Sequence, residues 1–144
     1  MKKVAFIFTI IAGSAIAAFA QGAAADQSAI KGTPAYAEVL LRKTELQADL
    51  EAYAPDYTEA NPKMIELRAE LASIDKSLDR ILATKTAQIG RLTDALGRMM
   101  VKKAALEADL VRLSRTYSKE HPDVKRAQRR VDLFESSITD ILKQ

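Results

Sequence analysis

The apolar residues in the middle of this chain recur at alternating steps of four and three positions. The series is Leu78, Leu82, Lys85, Ile89, Leu92, Leu96, Met99, Lys103, Leu106, Leu110, Leu113 and Tyr117. This spacing aligns the side chains along one stripe of an α-helix and is typical of coiled-coil packing. It predicts one continuous helix over 62–114, on the order of 80 Å long at about 1.5 Å per residue.

Two glycines, Gly90 and Gly97, lie inside this predicted helix. Each disfavours helix by about 1 kcal/mol relative to alanine. The four-three spacing continues through both of them, which favours an uninterrupted helix. A hairpin turn or break at either glycine is the alternative.

Strong helix breakers occur at two places, where a polar residue precedes a proline. The two sites are Asn61-Pro62 and His121-Pro122. Proline disfavours helical backbone at the residue before it and suits the first position of the next helix. Because short connections place consecutive helices side by side and antiparallel, the breakers predict helices over about 36–54 and 123–143, each folded back on one half of the central helix.

The two turns belong to an internal repeat, since residues 43–82 align with 103–142 without a gap, sixty positions apart. The turn motif is Tyr57, Asn61 and Pro62 in the first copy and Tyr117, His121 and Pro122 in the second. We expect each tyrosine ring to cover the end of its helix pair. Self-similarity at a fixed period marks a duplicated supersecondary unit.

Together these patterns predict an all-α fold of extended antiparallel coiled-coil hairpins. Two tandem repeats of about 60 residues would share the long central helix. The helical domain would cover 36–144, with repeat one at about 36–95 and repeat two at about 96–144. Each hairpin would have its own narrow apolar seam, so the expected shape is a rod without a globular core.

The first twenty residues have the pattern of a secretory signal peptide. Lys2 and Lys3 precede an apolar stretch that ends in a small-residue site at Ala20. Cleavage after Ala20 is expected, with cleavage after Ala25 or retention as a membrane anchor as alternatives. Residues 21–35 are rich in alanine and glycine and predict a flexible leader. The expected location is the periplasm, with secretion as the alternative.

The charges differ between the two repeats. Residues 42–80 contain six basic and nine acidic residues, whereas 85–143 contain thirteen basic and eight acidic residues. Such asymmetry favours head-to-tail or antiparallel self-association, or one surface that contacts an anion. The chain has no cysteine, so packing alone must stabilise an exported fold.

The residue types that usually perform catalysis are scarce. The chain has one histidine and lacks both cysteine and tryptophan, and it contains no nucleophile elbow, phosphate-binding glycine loop or zinc-protease motif. His121 precedes a proline at a helix start, and no second ligand has a supporting spacing, so it is expected to cap a helix. We expect no enzymatic activity, no cofactor and no metal.

The sharpest cluster of charge follows the second turn. It consists of Lys125, Arg126, Arg129 and Arg130. These side chains form a candidate contact for an anionic polysaccharide or a membrane surface, and the competing interpretation is a solvated helix face. Nucleic acid is not expected, because no aromatic residue is interleaved with the cluster.

The sequence Leu113-x3-Tyr117-x3-His121-Pro122-Asp123-Val124 resembles a motif of the polysaccharide co-polymerases, the chain-length determinant family of exopolysaccharide export. In that family a Tyr-x3-His-Pro-x-Val turn joins two long periplasmic helices. The first copy departs from the motif, with Asn61 in place of histidine and Met64 in place of valine. The resemblance covers about 36–143. The family's membrane helices, α/β base and kinase domain have no counterpart here, so the resemblance implies a separate, exported copy of the helical part.

The expected function is therefore that of an exported, non-enzymatic coiled-coil interaction protein, an accessory to envelope polysaccharide synthesis or export. Its expected partners are further copies of itself or a related coiled-coil membrane protein. A periplasmic holdase chaperone with helical arms is the alternative, and a β-rich oligomerisation module would favour it.

Overall fold

A computed structural model describes residues 27–143, in which a helical segment at 27–31 is followed by four α-helices and one short 3-10 helix. We number the α-helices α1, Pro34–Tyr53; α2, Pro62–Leu82; α3, Asp94–Thr116; and α4, Pro122–Lys143, and the 3-10 helix is Thr86–Arg91. No residue in 27–143 lies in a strand, so the all-α prediction is confirmed for this part of the chain. The predicted signal peptide and residues 21–26 of the predicted leader lie outside the described residues.

A polar side chain caps the start of each of the first three α-helices. The hydroxyls of Thr33 and Thr93 each accept a hydrogen bond at 3.4 Å from the backbone N–H three residues on. The amide oxygen of Asn61 accepts one at 2.9 Å from the N–H two residues on. Prolines occupy the first positions of α1 and α2, where no intrahelical donor is needed. These caps fix where each helix begins.

The predicted continuous central helix is wrong, because α2 ends at Leu82 and α3 begins only at Asp94. Thr93 caps the new helix, and Asp94 lies in its first turn, where the helix dipole favours an acid. Leu92 is buried and its carbonyl accepts a hydrogen bond from the Ala35 N–H at 3.2 Å. The segment 83–93 therefore keeps its apolar side chains toward the core without being an α-helix, which explains why the four-three spacing ran through it.

Neither glycine forms this break by itself. Gly90 lies in the 3-10 helix, and a Cβ atom added there would meet no heavy atom within 4 Å. Gly97 lies inside α3, where an added Cβ would come within 2.9 Å of the Ala35 Cα. Gly97 is thus a site of close contact between α1 and α3, and it does not form a turn.

Each α-helix packs on its neighbour along the chain, and the first also packs on the third. Helix α1 packs on α2 and α3, α2 packs on α3, and α4 packs on α3. Since consecutive helices are joined by short connections and run antiparallel, α1 is parallel to α3 and α2 is parallel to α4. The turns 54–61 and 117–121 therefore lie at one end, and the segment 83–93 lies at the other.

One buried apolar cluster contains residues from every α-helix, so the prediction of a rod without a shared core is also wrong. Its members are Ile30, Ala35, Val39, Leu46, Leu67, Ile74, Leu78, Ile81, Leu92, Leu96, Met100, Ala104 and Ile138. The break at 83–93 lets α3 fold back against both α1 and α2, which a straight central helix could not do. Within residues 27–143, no helix has both the length and the apolar character needed to span a bilayer.

Candidate functional site

The first turn is held by hydrogen bonds on both sides of Asn61. Its backbone N–H donates to the Thr58 carbonyl at 2.9 Å, and its side-chain oxygen accepts from the Lys63 N–H at 2.9 Å. Pro62 follows as the first residue of α2. The amide side chain therefore has the geometry of a helix cap.

The second turn repeats this arrangement with a different side chain. The His121 backbone N–H donates to the Ser118 carbonyl at 3.0 Å, and the His121 Nδ1 accepts from the Asp123 N–H at 3.2 Å. The His121 ring nitrogen therefore takes the place that the Asn61 side-chain oxygen has in the first turn. The structure thus places His121 at the capping position predicted for it.

The two turn tyrosines lie on the surface and do not fill the ends of the helix pairs. Tyr57 is 43% exposed and Tyr117 is 42% exposed. The Tyr57 ring packs edge-on against Tyr53, with centroids 5.7 Å apart. The Tyr117 ring stacks on His121, with centroids 4.1 Å apart. The expectation that each ring covers the end of its helix pair is wrong, because both tyrosines keep about two fifths of their surface exposed.

The four basic residues of α4 are exposed and lie on one broad side of the helix. Lys125 pairs with Glu120, and Arg126 pairs with Asp123 at 3.1 Å. Among residues 27–143, no ion pair involves Arg129 or Arg130. At about 100° per residue, the four side chains spread over one arc of about 140°, with Lys125 and Arg129 toward one edge and Arg126 and Arg130 toward the other.

Lys125 and Arg129 border a groove between α3 and α4 with a volume of about 500 Å³. This volume is on the scale of a small ligand site. Its lining is Leu110, Ser114, Lys119, Val124, Lys125, Gln128 and Arg129. The floor is apolar and the rim carries three cations. Sequence reasoning missed Lys119, which lies within the turn 117–121 and was not grouped with the cluster of α4.

A second charged cluster links α2, α3 and α4. The Glu135 carboxylate accepts from Arg80 at 2.8 Å and lies 3.1 Å from the Lys103 Nζ, and Lys103 also pairs with Glu107 at 2.9 Å. Burial alone would lower the pKa of Lys103, but its hydrogen bonds to Glu107 and Glu135 raise that pKa above its ordinary value. Every group in this cluster is already paired, so its role is to join helices.

The pKa of Glu135 changes in the direction expected for a paired acid. Partial burial would raise it, but hydrogen bonds from Lys103, Arg80 and Thr139 lower it below the ordinary value of 4.5. Little in the sequence points to this cluster, because its members are far apart along the chain and each lies among other charges. Only Lys103 was noticed, as a polar position in the apolar series.

Within residues 27–143, no group of three or more potential ligands is arranged to hold a metal ion. The arrangement offers instead exposed cations, an open groove and capped turns, which can bind surfaces or other helices. Comparison of the chain with protein-family models, with curated protein sequences and with solved structures finds no match in any of the three.

Proposed function

We propose that this chain is an exported, non-enzymatic interaction protein made of two tandem antiparallel coiled-coil hairpins, and that it serves as an accessory in envelope polysaccharide synthesis or export. The observation that supports it best is the equivalence of the helix caps. Thr33 and Thr93 lie sixty positions apart and make the same 3.4 Å capping bond, and Asn61 and His121 lie sixty positions apart and make the same turn.

The caps extend the repeat beyond the part that sequence identity reveals. With the same offset, α1 corresponds to α3 and α2 corresponds to α4. Two units of the same construction, each a helix pair closed by a proline turn, are the usual basis of repeat proteins that bind through extended surfaces. The proposal therefore assigns function to the surfaces of the pairs, and it assigns none to a catalytic cleft.

The chemistry of the described residues supports binding. The charged groups that the structure brings together are ion pairs between helices, and the polar groups at the turns are used as caps. The exposed features are the cations of α4 and the tyrosines of the turns. An anionic polysaccharide or membrane surface fits the cations, and a helical partner fits the tyrosines.

The link to polysaccharide export depends on the resemblance of the second turn to the co-polymerase motif, and the location depends on the N-terminal pattern. We would test both in the native cell. N-terminal sequencing of tagged protein from the periplasmic fraction should find Gln21 as the first residue. Crosslinking should recover either this chain in multiple copies or a membrane protein with a helical periplasmic region.

Deletion of the gene should change the amount or length distribution of the exported polysaccharide. Protein that stays in the cytoplasm, or a deletion strain with an unchanged polysaccharide profile and no crosslinked partner, would refute the proposal. A variant with His121→Ala and Asn61→Ala serves as a structural control, because it weakens both turns without changing the charge of α4.

The anionic contact has its own test. Replacing the four cations of α4 by glutamine should abolish binding to acidic polysaccharide or anionic vesicles without unfolding the helix, since glutamine is a good helix former. Binding by the unchanged protein should weaken as salt rises, because the Debye length falls from about 10 Å at 0.1 M to about 3 Å at 1 M. Equal binding by both proteins would identify the cations as a solvated face.

A further inference from the structure

The stripe of α3 that packs against the first helix pair has a counterpart on α1 that faces solvent. On α3 the stripe is small and apolar, and it consists of Gly97, Met100, Val101, Ala104 and Ala108. Sixty positions earlier, α1 carries Ala37, Leu40, Leu41, Thr44 and Ala48, all of them exposed. Leu40 is 39% exposed, while its counterpart Met100 is 1% exposed. Helix α1 thus presents the kind of surface that α3 buries.

The outer face of α4 exposes positions whose counterparts on α2 are buried. On α2, Glu70 is buried beside Arg42 of α1, and Ser73 is buried where α3 packs, with its hydroxyl donating to Glu107. Their counterparts on α4 are Arg130 and Leu133, and both are exposed. Leu133 is 68% exposed, whereas Ser73 is 6% exposed. A serine inside and a leucine outside are the reverse of what burial within a single chain would favour.

The charges of these two surfaces are complementary. Residues 44–52 of α1 contain three acids and no base, and residues 125–130 of α4 contain four bases and no acid. Within the chain, Arg112 lies 3.5 Å from Glu66, and Glu107 contacts Ser73, so 104–112 lies along 66–73. In the same register, residues 44–52 of one copy, sixty positions before 104–112, would lie along residues 126–133 of another copy, sixty positions after 66–73. This would place the acidic segment of one copy along the basic segment of the other.

We propose that a second copy of this chain docks head to tail, with its α1 stripe packed on the outer face of α3 and α4. The contact would repeat the packing of α3 on α1 and α2. This inference rests on the proposed function, because it specifies how the interaction protein associates with itself. Since the two contacting surfaces differ, the contact is heterologous, and association does not stop at a dimer.

Two substitutions at exposed positions test the two surfaces separately. Ala48→Arg places a cation on the α1 stripe, and Leu133→Arg places one on the α4 face. Arginine is a good helix former, so neither change should disturb the helix. Sedimentation velocity from micromolar to millimolar concentration should show wild-type protein whose mass rises beyond a dimer, while each variant alone remains monomeric.

The mixture of the two variants is the decisive sample. The Ala48→Arg protein keeps its α4 face and the Leu133→Arg protein keeps its α1 stripe, so the two should form a one-to-one complex and nothing larger. Ala72→Arg, at an exposed position of α2 outside both surfaces, should associate like the wild type.

Three results would overturn the inference: a monomeric wild type at all concentrations, variants that associate like the wild type, or a mixture that stays monomeric although each variant is folded by circular dichroism. In the second case the protein still associates with itself, so the proposed function would stand while this mode of docking fails. A monomeric wild type would leave the proposed function to its own test, the capture of a membrane partner in the cell.

Discussion

Gly97 is the position where the geometry makes the sharpest prediction about stability. A Cβ atom on Gly97 would lie 2.9 Å from the Ala35 Cα and 3.0 Å from the Ala35 carbonyl oxygen. Both are backbone atoms, so they cannot move aside by a side-chain rotation. The change Gly97→Ala therefore forces α1 and α3 apart along a contact that contributes to the core.

Two opposing effects set the magnitude. Alanine inside a helix is favoured over glycine by about 1 kcal/mol. Forcing an extra carbon into a packed contact typically costs about 1–3 kcal/mol. The net change for Gly97→Ala is then a loss of up to about 2 kcal/mol in the free energy of unfolding. The change Gly97→Val adds two further carbons and a β-branched side chain, and should lose more.

Gly90→Ala is the matched control, because nothing lies within 4 Å of an added Cβ there. Its free energy of unfolding should be unchanged or slightly higher. Urea unfolding followed by circular dichroism would measure both, since a loss of 1 kcal/mol moves the midpoint by roughly 0.3–1 M for a typical small protein. Measurements at several protein concentrations would separate folding from association. A Gly97→Ala protein that gains about 1 kcal/mol, as helix propensity alone requires, would refute the close contact.

Three further changes probe the turns and the charged cluster by the same unfolding assay. Tyr117→Ala should cost about 1 kcal/mol, the value of one aromatic stacking contact, and a cost near 3 kcal/mol would mean that the ring is buried. His121→Asn should change the free energy of unfolding by less than about 1 kcal/mol, since asparagine can make the same cap as Asn61 and loses only the stacking on Tyr117. Glu135→Gln should destabilise by roughly 1 kcal/mol at neutral pH, with allowance for its partial exposure. Because the folded pKa of Glu135 is lowered, its contribution is complete above about the ordinary value of 4.5 and is lost as the pH falls through the folded value. The variant and the wild type should therefore converge in acid, and a difference that persists there would contradict the ion-pair explanation.

The sequence predicted the turns well because their signals are local. The prolines at 62 and 122 fix the starts of α2 and α4 to the residue, and Asn61 and His121 lie where a cap must lie. A capping residue acts through hydrogen bonds to atoms two or three residues away, so the sequence contains nearly all of the information. A similar local signal precedes α3, where Thr93 lies sixty residues after Thr33 and is followed by Asp94.

The break between α2 and α3 could not be seen in the apolar spacing. Ile89 and Leu92 keep the positions that a continuous helix would require, yet they reach the core from a 3-10 helix and the residue after it. A spacing pattern reports which side chains are buried, and a tight connection can bury the same side chains as a helix. What decides between the two is the tertiary contact of α1 with α3, which joins residues far apart in the sequence and leaves no local signal.

The same distinction explains why the charged cluster around Glu135 was missed. Its members Arg80, Lys103 and Glu135 come from three helices, and each helix carries many other charges. Only the packing of α4 against α3 and α2 selects these three. The cations of α4 could be grouped from the sequence because they are close together on one helix, where the helical repeat alone places them within one arc of about 140°.

The two repeats do not bury equal amounts of apolar surface, and this determines which part should open first. On α2 the buried positions include Met64, Leu67 and Ile74, whereas the corresponding positions of α4 carry Val124, Ala127 and the only partly buried Phe134. Smaller and less buried side chains contribute less to stability, at roughly 0.8 kcal/mol for each buried methylene. Helix α4 also packs on α3 alone along most of its length, while α2 has α1 and α3 as neighbours.

Local opening should therefore begin at α4, and native-state hydrogen exchange should show its amides exchanging faster than those of α2. If a second copy covers the outer face of α4, this difference should shrink as the protein concentration rises. Equal protection of α2 and α4 in dilute solution would contradict the argument from buried side chains.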